Sequence, residues 1–491
     1  MRVPPLGILY IADALKKAGY KIKLYHISED EVQKYGSIIV NERPLFVGFS
    51  VFIGDRIKAA VGLSRIIKKS SDIPVVWGNA YPSLLPEQCL KEDYIDIVVI
   101  GEGEETCVEL ARAIEHKGNR EKIKGIGYKD NNGFIKINER PPFIKDLDKF
   151  EIDWSLIDIE RYIVPHMELE RTLRIVLSRG CPHSCAFCYN QVFNQRKWRA
   201  HSVDYAVNRL SNLIKRYNIE AFFFNDDNFF VNQKWAWRIL EGINIPYSIS
   251  LRSEYVDEES AKKLAATNCR EVFFGYESGS ERVLKDIVKK GETVQDYIRA
   301  TKILSKYPRI RIAASFIVAL PGETKDDYKK TVNLMCELLD ITSHISYTTG
   351  FFLPIPGTEL YESAIKEGFL PPSTTEGWDV FDRWSNKLNL SWVDWITSNK
   401  TAELRQAMNV LTTLYKFNVP IVKQIVRRMV LNENYSNLLI SLLNKMRLKY
   451  SFGNRYQYST RIIRLTGNLL KKLKGIKKNE NIGDSSGIRP R

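Results

Sequence analysis

Over the first 145 residues, short apolar runs alternate with stretches whose apolar positions recur every three to four residues. The runs at 21–25, 46–51, 74–77 and 95–100 predict strands, and the stretches beginning near Pro5, Asp55, Pro86 and Glu104 predict helices. Strands separated by helices pair in parallel, so residues 1–145 predict a Rossmann-like, doubly wound α/β domain. Two further runs, 125–128 and 133–137, flank Asp130, Asn131 and Asn132 and predict a hairpin that closes it.

The stretch from about Arg140 to Glu170 is rich in proline and acidic residues and gives a connector over 146–170, after which the alternation resumes. Six strands are predicted at 172–178, 220–225, 246–252, 271–277, 310–318 and 344–353. A helical stretch follows each of the first five, and a shorter one follows the sixth. Six such units make a partial (β/α)6 barrel over 171–395, whose chemistry belongs at the carboxyl ends of the strands. From 396 to 491 the pattern is helical, with no proline between Pro420 and Pro490. No fixed-period repeat runs through the chain.

Composition narrows the class. At 491 residues the chain exceeds one ordinary core. Its 44% hydrophobic and 27% charged residues lie in the usual range of soluble proteins and indicate neither a disordered nor a polytopic membrane protein. No apolar run approaches the roughly 18–20 residues of a spanning helix, and the amino terminus lacks a small-residue cleavage site, so a cytoplasmic protein is expected. The net charge of +15 is concentrated in the tail: from Thr401 onward, 18 Lys and Arg face four acids. Within it, 459–478 could lay Ile462, Ile463, Leu465, Leu469, Leu470 and Leu473 on a membrane surface, which would suit a lipid-like substrate and a peripheral location. The same pattern also describes a helical cap with a solvated basic face. Nucleic acid is the weakest of the three readings, since no aromatic-rich RNA module is evident.

Three of the seven cysteines fall within eight residues, in Arg-Gly-Cys-Pro-His-Ser-Cys-Ala-Phe-Cys-Tyr at 179–189, directly after the first barrel strand. A cubane iron–sulfur cluster held by only three thiolates keeps one iron open to an exogenous ligand. The other reading of Cys181, Cys185 and Cys188 is a structural zinc site, which wants four ligands and could recruit His183. That reading makes the chain a metal-dependent binding or regulatory protein.

The spacing of the three cysteines, with aromatic Phe187 before the last, resembles the signature of the radical S-adenosylmethionine superfamily. The resemblance implies a 4Fe-4S cluster on Cys181, Cys185 and Cys188. It also implies S-adenosylmethionine bound to the open iron, an electron donor such as flavodoxin or ferredoxin, and a deoxyadenosyl radical that takes hydrogen from a small-molecule or lipid-like substrate. Cofactor-binding positions follow at the other strand ends: Asp226 and Asp227, Arg252, Glu277 and Ser278, then Ile317 and Gly322 with Glu323. Taken alone, Asp226 and Asp227 could cap a helix, Arg252 could form a surface ion pair, and the turn at Gly322 could simply start a helix. The segment 354–368, Pro-Ile-Pro-Gly-Thr-Glu-Leu onward, is also similar to the family pattern.

The segments 4–10, 47–52, 75–88 and 98–106 resemble the cobalamin-binding domain that precedes the barrel in one large subfamily. Gly48, Gly78 and Gly101 at strand ends are then the positions for close approach of a corrin. Two features depart from that pattern. No Asp-x-His-x-x-Gly segment supplies a histidine ligand to cobalt, and only three residues precede the Pro-Pro-Leu-Gly element, where the family has a strand. The resemblance implies cobalamin-dependent C-methylation, with radical cyclisation or rearrangement as the alternative. A methylthiolating enzyme would usually bring additional cysteines, whereas Cys89, Cys107, Cys269 and Cys336 are scattered and read as core residues.

Overall fold

The first helix, α1 (Leu6–Lys17), ends on Lys16 and Lys17, where cations suit the carboxyl end of the helix dipole. In the computed structural model, which describes residues 3–54, 57–381, 390–396 and Arg427, there follow α2 (Val32–Glu42), β1 (Val47–Ser50), α3 (Ile57–Ser70), β2 (Val75–Gly78), α4 (Ala80–Leu84), α5 (Pro86–Lys91), β3 (Ile97–Val99) and α6 (Glu104–Glu115). The hairpin β4 (Ile126–Lys129) and β5 (Ile135–Ile137) completes a sheet of order β1-β2-β3-β4-β5, its first three strands parallel and the hairpin antiparallel. Neighbouring residues of β2 face opposite sides. Val76 joins Leu15, Ile97 and Leu110 beneath α1 and α6, whereas the Trp77 indole donates to Ser64 of α3 at 3.0 Å. Helices therefore cover both faces, the doubly wound arrangement expected.

No strand forms at 21–25. The alternation is present, with Lys21, Lys23 and Tyr25 exposed and Ile22 packed against the core, but Glu42 at the end of α2 takes both the Lys23 ammonium (2.5 Å) and the Tyr25 hydroxyl (3.0 Å). Side-chain bonds to a helix end hold the segment where a sheet edge would otherwise have recruited its backbone.

The second sheet is built from β6 (Val164–His166), β7 (Leu169–Ile175), β10 (Ala221–Phe224), β11 (Tyr247–Ser250), β12 (Cys269–Glu277), β13 (Arg311–Val318) and β14 (Ile345–Phe351), with the short pair β8 (Ser178–Arg179) and β9 (Arg199–Ala200) after β7. The helices α7 (Val203–Tyr217), α8 (Gln233–Ile243), α9 (Glu258–Ala266), α10 (Val294–Ser305), α11 (Lys325–Ile341) and α12 (Glu359–Lys366) alternate with the strands. Order β14-β13-β12-β11-β10-β7-β6 gives six parallel neighbours in chain order, the half-barrel expected, plus β6 antiparallel at one edge. β6 lies in the stretch expected to be connector; its three residues are too few to show a period. The helix starts are written locally: α7 has Ser202 accepting from the Tyr205 N–H, and α9, α10 and α11 carry capping boxes on Asp257, Thr293 and Thr324.

Residues facing the outer helices, such as Leu173, Phe222, Val272, Ala314 and Phe316, are at most 1% exposed. Their inward neighbours Arg174, Phe223, Phe273, Ser315 and Ile317 are only half-buried, so the curl of the sheet encloses accessible space. The β13–β14 wall of that space carries little bulk: Ala313 pairs with Ser346, Ser315 with Thr348 and Ile317 with Gly350. Among the described residues no helix is long and apolar enough to cross a membrane. The amphipathic segment 459–478 lies outside the described residues.

Candidate active site

The first barrel strand was expected to run to residue 178 but stops at Ile175. Beyond it, the backbone N–H groups of Leu177 and Ser178 turn to the Asp226 carboxylate (3.2 and 2.6 Å), and the Ser178 hydroxyl joins them at 2.5 Å. Burial pushes the Asp226 carboxyl up to about 7, against the opposing effect of these bonds. Asp226 thus braces the segment that leads into the cysteines, and Asp227, the next residue, meets the Tyr189 hydroxyl at 3.2 Å.

Gly180 makes the turn with φ +82°, and a Cβ there would stand 2.2 Å from the Lys197 carbonyl oxygen, so only glycine fits. The cysteine loop is pinned from two sides at Ala186, which donates to the Val288 carbonyl (2.8 Å) and accepts from the Leu360 N–H (3.0 Å) at the start of α12. The Gln191 amide holds the carbonyls of Ser184 and Cys185. Cys181, Cys185 and Cys188 are all free and partly exposed, whereas Cys89, Cys107, Cys269 and Cys336 are buried in cores. Burial raises all three loop thiols, that of Cys188 to about 12. A bound metal reverses that tendency, because coordination itself expels the proton. Among the described residues no three His, Cys, Asp or Glu side chains stand close enough for a single ion; a cubane instead offers each thiolate a different iron. Phe187 is half-buried beside them.

At the ends of β11 and β12, four charged groups are buried together. Arg252, Glu277, Lys290 and Glu292 are each no more than 8% exposed. Lys290 Nζ lies 3.1 Å from Glu292 and 3.8 Å from Glu277, and Arg252 lies 3.6 Å from Glu292 and 2.7 Å from Glu254. Glu292 also accepts from the Ser253 N–H and hydroxyl. Burial favours neutral forms, but the mutual pairing outweighs it, lowering the Glu292 carboxyl and raising the Lys290 ammonium. Glu277 sits at φ +60°, a conformation that side chains resist. Ser278 is fully buried and faces Thr331 of α11 at 3.2 Å. Ile317 faces the barrel interior opposite Gly350, and Gly322, at φ +73°, donates to Glu367 at 2.9 Å. Lys290 and Glu292 carried no signal in the sequence, where Lys-Lys-Gly-Glu reads as a solvated loop.

The amino-terminal sheet reaches this loop through Glu102. Its carboxylate takes Arg179 (2.8 Å) and Arg199 (2.8 Å), and Arg179 also pairs with Glu104 (2.6 Å). Burial opposes the charge on Glu102, yet the two guanidiniums hold its carboxyl below the ordinary range. Gly48 is exposed on β1 and Gly78 ends β2, while Gly101, at φ +85°, packs against the Arg140 guanidinium. The six histidines are placed elsewhere in the contacts they make: His26, His166, His183 and His201 contact Tyr162, Glu271, Tyr255 and Asp148, His116 caps α6, and His344 precedes β14. Phe52, just beyond β1, meets Tyr189 edge-on at 6.1 Å, next to Cys188.

Three thiols presented at the carboxyl end of a half-barrel, beside a Rossmann-like sheet, define a class, and comparison bears on it directly. The radical SAM superfamily matches residues 175–335, and the B12 binding domain matches residues 1–111. An uncharacterized methyltransferase of Pyrococcus horikoshii is 32% identical over 378 residues, covering 75% of this chain and 80% of its own. The anaerobic magnesium-protoporphyrin IX monomethyl ester cyclase of Rubrivivax gelatinosus is 27% identical, covering 73% and 66%. Among solved structures, the radical S-adenosylmethionine methyltransferase TsrM of Kitasatospora setae, with cobalamin and a [4Fe-4S] cluster bound, superposes with a TM-score of 0.61 at 18% identity, covering 76% of this chain and 74% of its own. The chain belongs to the radical SAM superfamily, in the branch that carries a B12 binding domain.

Proposed function

We propose that this protein is a cobalamin-dependent radical S-adenosylmethionine enzyme that methylates a carbon of a small-molecule substrate. The observation that carries this is the cysteine loop: three free, accessible thiols held by hydrogen bonds at the mouth of the barrel and tied through Arg179 to the amino-terminal sheet. Cys181, Cys185 and Cys188 hold the 4Fe-4S cluster, which when bound supplies the electron that breaks the carbon–sulfur bond of S-adenosylmethionine, while cobalamin supplies the methyl group. Arg252 and Glu277 orient the methionyl and adenosyl portions of the cofactor, with Asp227, Ile317 and Gly322 completing its pocket. Lys290 and Glu292 hold Arg252 and Glu277 in place through their ion pairs. Gly48 and Gly78, with no side chains to block approach at the strand ends, would leave room for a corrin. The fully free thiols go with a reducing, cytoplasmic compartment and an electron donor such as flavodoxin or ferredoxin.

Radical cyclisation without methyl transfer is the second reading, favoured by the similarity to the Rubrivivax cyclase. Anaerobic reconstitution, followed by dithionite and S-adenosylmethionine, is expected to yield 5'-deoxyadenosine from the wild type and none above background from Cys185→Ala. Equal yields would overturn the assignment of the cysteines. S-adenosylhomocysteine formed alongside 5'-deoxyadenosine by protein made with cobalamin supports methyl transfer, and 5'-deoxyadenosine alone favours the cyclase.

A further inference from the structure

The interior of the barrel holds a cluster of charged groups separate from the cysteine loop. In the strand register, Arg174, Phe223, Ser248, Glu271 and Arg311 form one continuous row across β7, β10, β11, β12 and β13. His166 of β6 stands 3.1 Å from Glu271 of β12 and meets the Phe223 ring edge-on at 5.2 Å. β6 and β12 are separated in the sheet by three strands, so their side chains meet only inside the curl. The row therefore lines the interior.

Within it, Glu271 is engaged: His166 approaches one carboxylate oxygen, and Arg311 lies 4.0 Å from the other. Arg174 is not. Its guanidinium lies 4.2 Å over the Phe223 ring, and among the described residues its one hydrogen bond is a long 3.5 Å contact to Asn225 Oδ1, with no carboxylate within 4.0 Å. A guanidinium offers five N–H donors in a fixed fork, and leaving them poorly paired in an enclosed space is costly. Burial works against its charge, and the Glu271 carboxylate in the same row offsets that only in part. Two guanidiniums face one carboxylate in this row, and the Arg174 head points toward Asn225, the residue before the Asp226 that braces the cysteine loop.

Building on the proposed function, we infer that Arg174 is a substrate-binding residue, and that the substrate carries an oxyanion, a carboxylate or phosphate, held in the barrel by this fork while Phe223 supports the guanidinium from behind. The anion supplies the partner that the described residues do not. The small residues of the β13–β14 wall leave the space in which the rest of the substrate lies.

The test uses the full-length, cluster-reconstituted protein and titration calorimetry with phenyl phosphate, benzoate and neutral benzyl alcohol as probes. One of the two anions is expected to bind and benzyl alcohol to fail, and whichever anion binds identifies the oxyanion. Arg174→Leu is expected to weaken that binding by about tenfold or more, a charge-assisted pair being worth that much. Arg174→Lys should retain part of it, whereas Arg311→Gln, equal in net charge to Arg174→Leu but already paired with Glu271, should change it by less than about twofold. Binding indifferent to Arg174, or lost equally in Arg311→Gln, would overturn the inference, as would wild-type protein that binds neither anion. Iron content and 5'-deoxyadenosine formation of the same wild-type preparation separate the two failures. If both are absent, the enzyme assignment has failed; if both are intact and binding ignores Arg174, only this inference has. Should Arg174→Leu fail to fold, the comparison of Arg174→Lys with Arg311→Gln decides.

Discussion

Arg179→Met is expected to cost about 3–5 kcal/mol of stability, because it strands a buried carboxylate. Glu102 would keep Arg199, but Glu104, only 4% exposed, would lose the guanidinium that now stands 2.6 Å away. Taking one partner from a buried pair leaves a desolvated charge, whereas taking both leaves only a packing change. The double variant Arg179→Met/Glu104→Gln is therefore expected to recover much of the loss. Urea unfolding followed by circular dichroism gives the cycle, and a single-variant loss under about 1 kcal/mol would show that the pair contributes only as a surface contact does. The position of Arg179, two residues before Cys181, also predicts that the single variant retains less iron after reconstitution than the double variant.

The second large effect concerns pH. Glu323 is 3% exposed, among the described residues its Oε1 has no hydrogen-bond partner, and its Oε2 accepts from the Leu320 N–H at 3.2 Å; burial, against backbone hydrogen bonds from Leu320 and Ala319, pushes its carboxyl up to about 8. The unfolded chain releases that proton near the ordinary carboxylate range, at about 4 to 4.5. Between these values the folded state holds one proton more than the unfolded state, so the contribution to stability falls as pH rises, by about 1.4 kcal/mol per pH unit, and is lost above the folded value. Glu323→Gln removes this dependence. The variant is expected to gain on the wild type steadily from pH 5 to pH 8, reaching a difference on the order of 3–5 kcal/mol. Asp226, raised to about 7, adds a similar slope to both proteins, so the difference between the two curves isolates Glu323. Parallel stability curves over this range would mean that Glu323 ionises normally.

Much of the fold was legible because parallel strands covered by helices must be apolar on their outer face. The runs at 220–225, 271–277 and 310–318 became β10, β12 and β13 with small shifts at their ends. The false strand at 21–25 shows the limit of that signal: its alternation is real, but what decides pairing is whether a neighbour is free, and Glu42 had already taken its side chains. The same limit shortened the first barrel strand, where Asp226 competes for backbone donors from almost fifty residues away. In the site, the three cysteines were readable because an iron–sulfur cluster demands fixed local spacing. Lys290, Glu292 and Arg174 were not, because their roles exist only through partners brought near by the register of the sheet.

The slender side chains along β13 and β14 have a consequence of their own. Ala313, Ser315, Ser346, Thr348 and Gly350 are backed by strands whose opposite face is locked into the core. That wall acts as a mould whose inner contour can be recast one methyl group at a time while its backing stays rigid. Relatives with a common cysteine loop could then differ in the molecules they accept through substitutions at these five positions, without disturbing the machinery at the barrel's mouth.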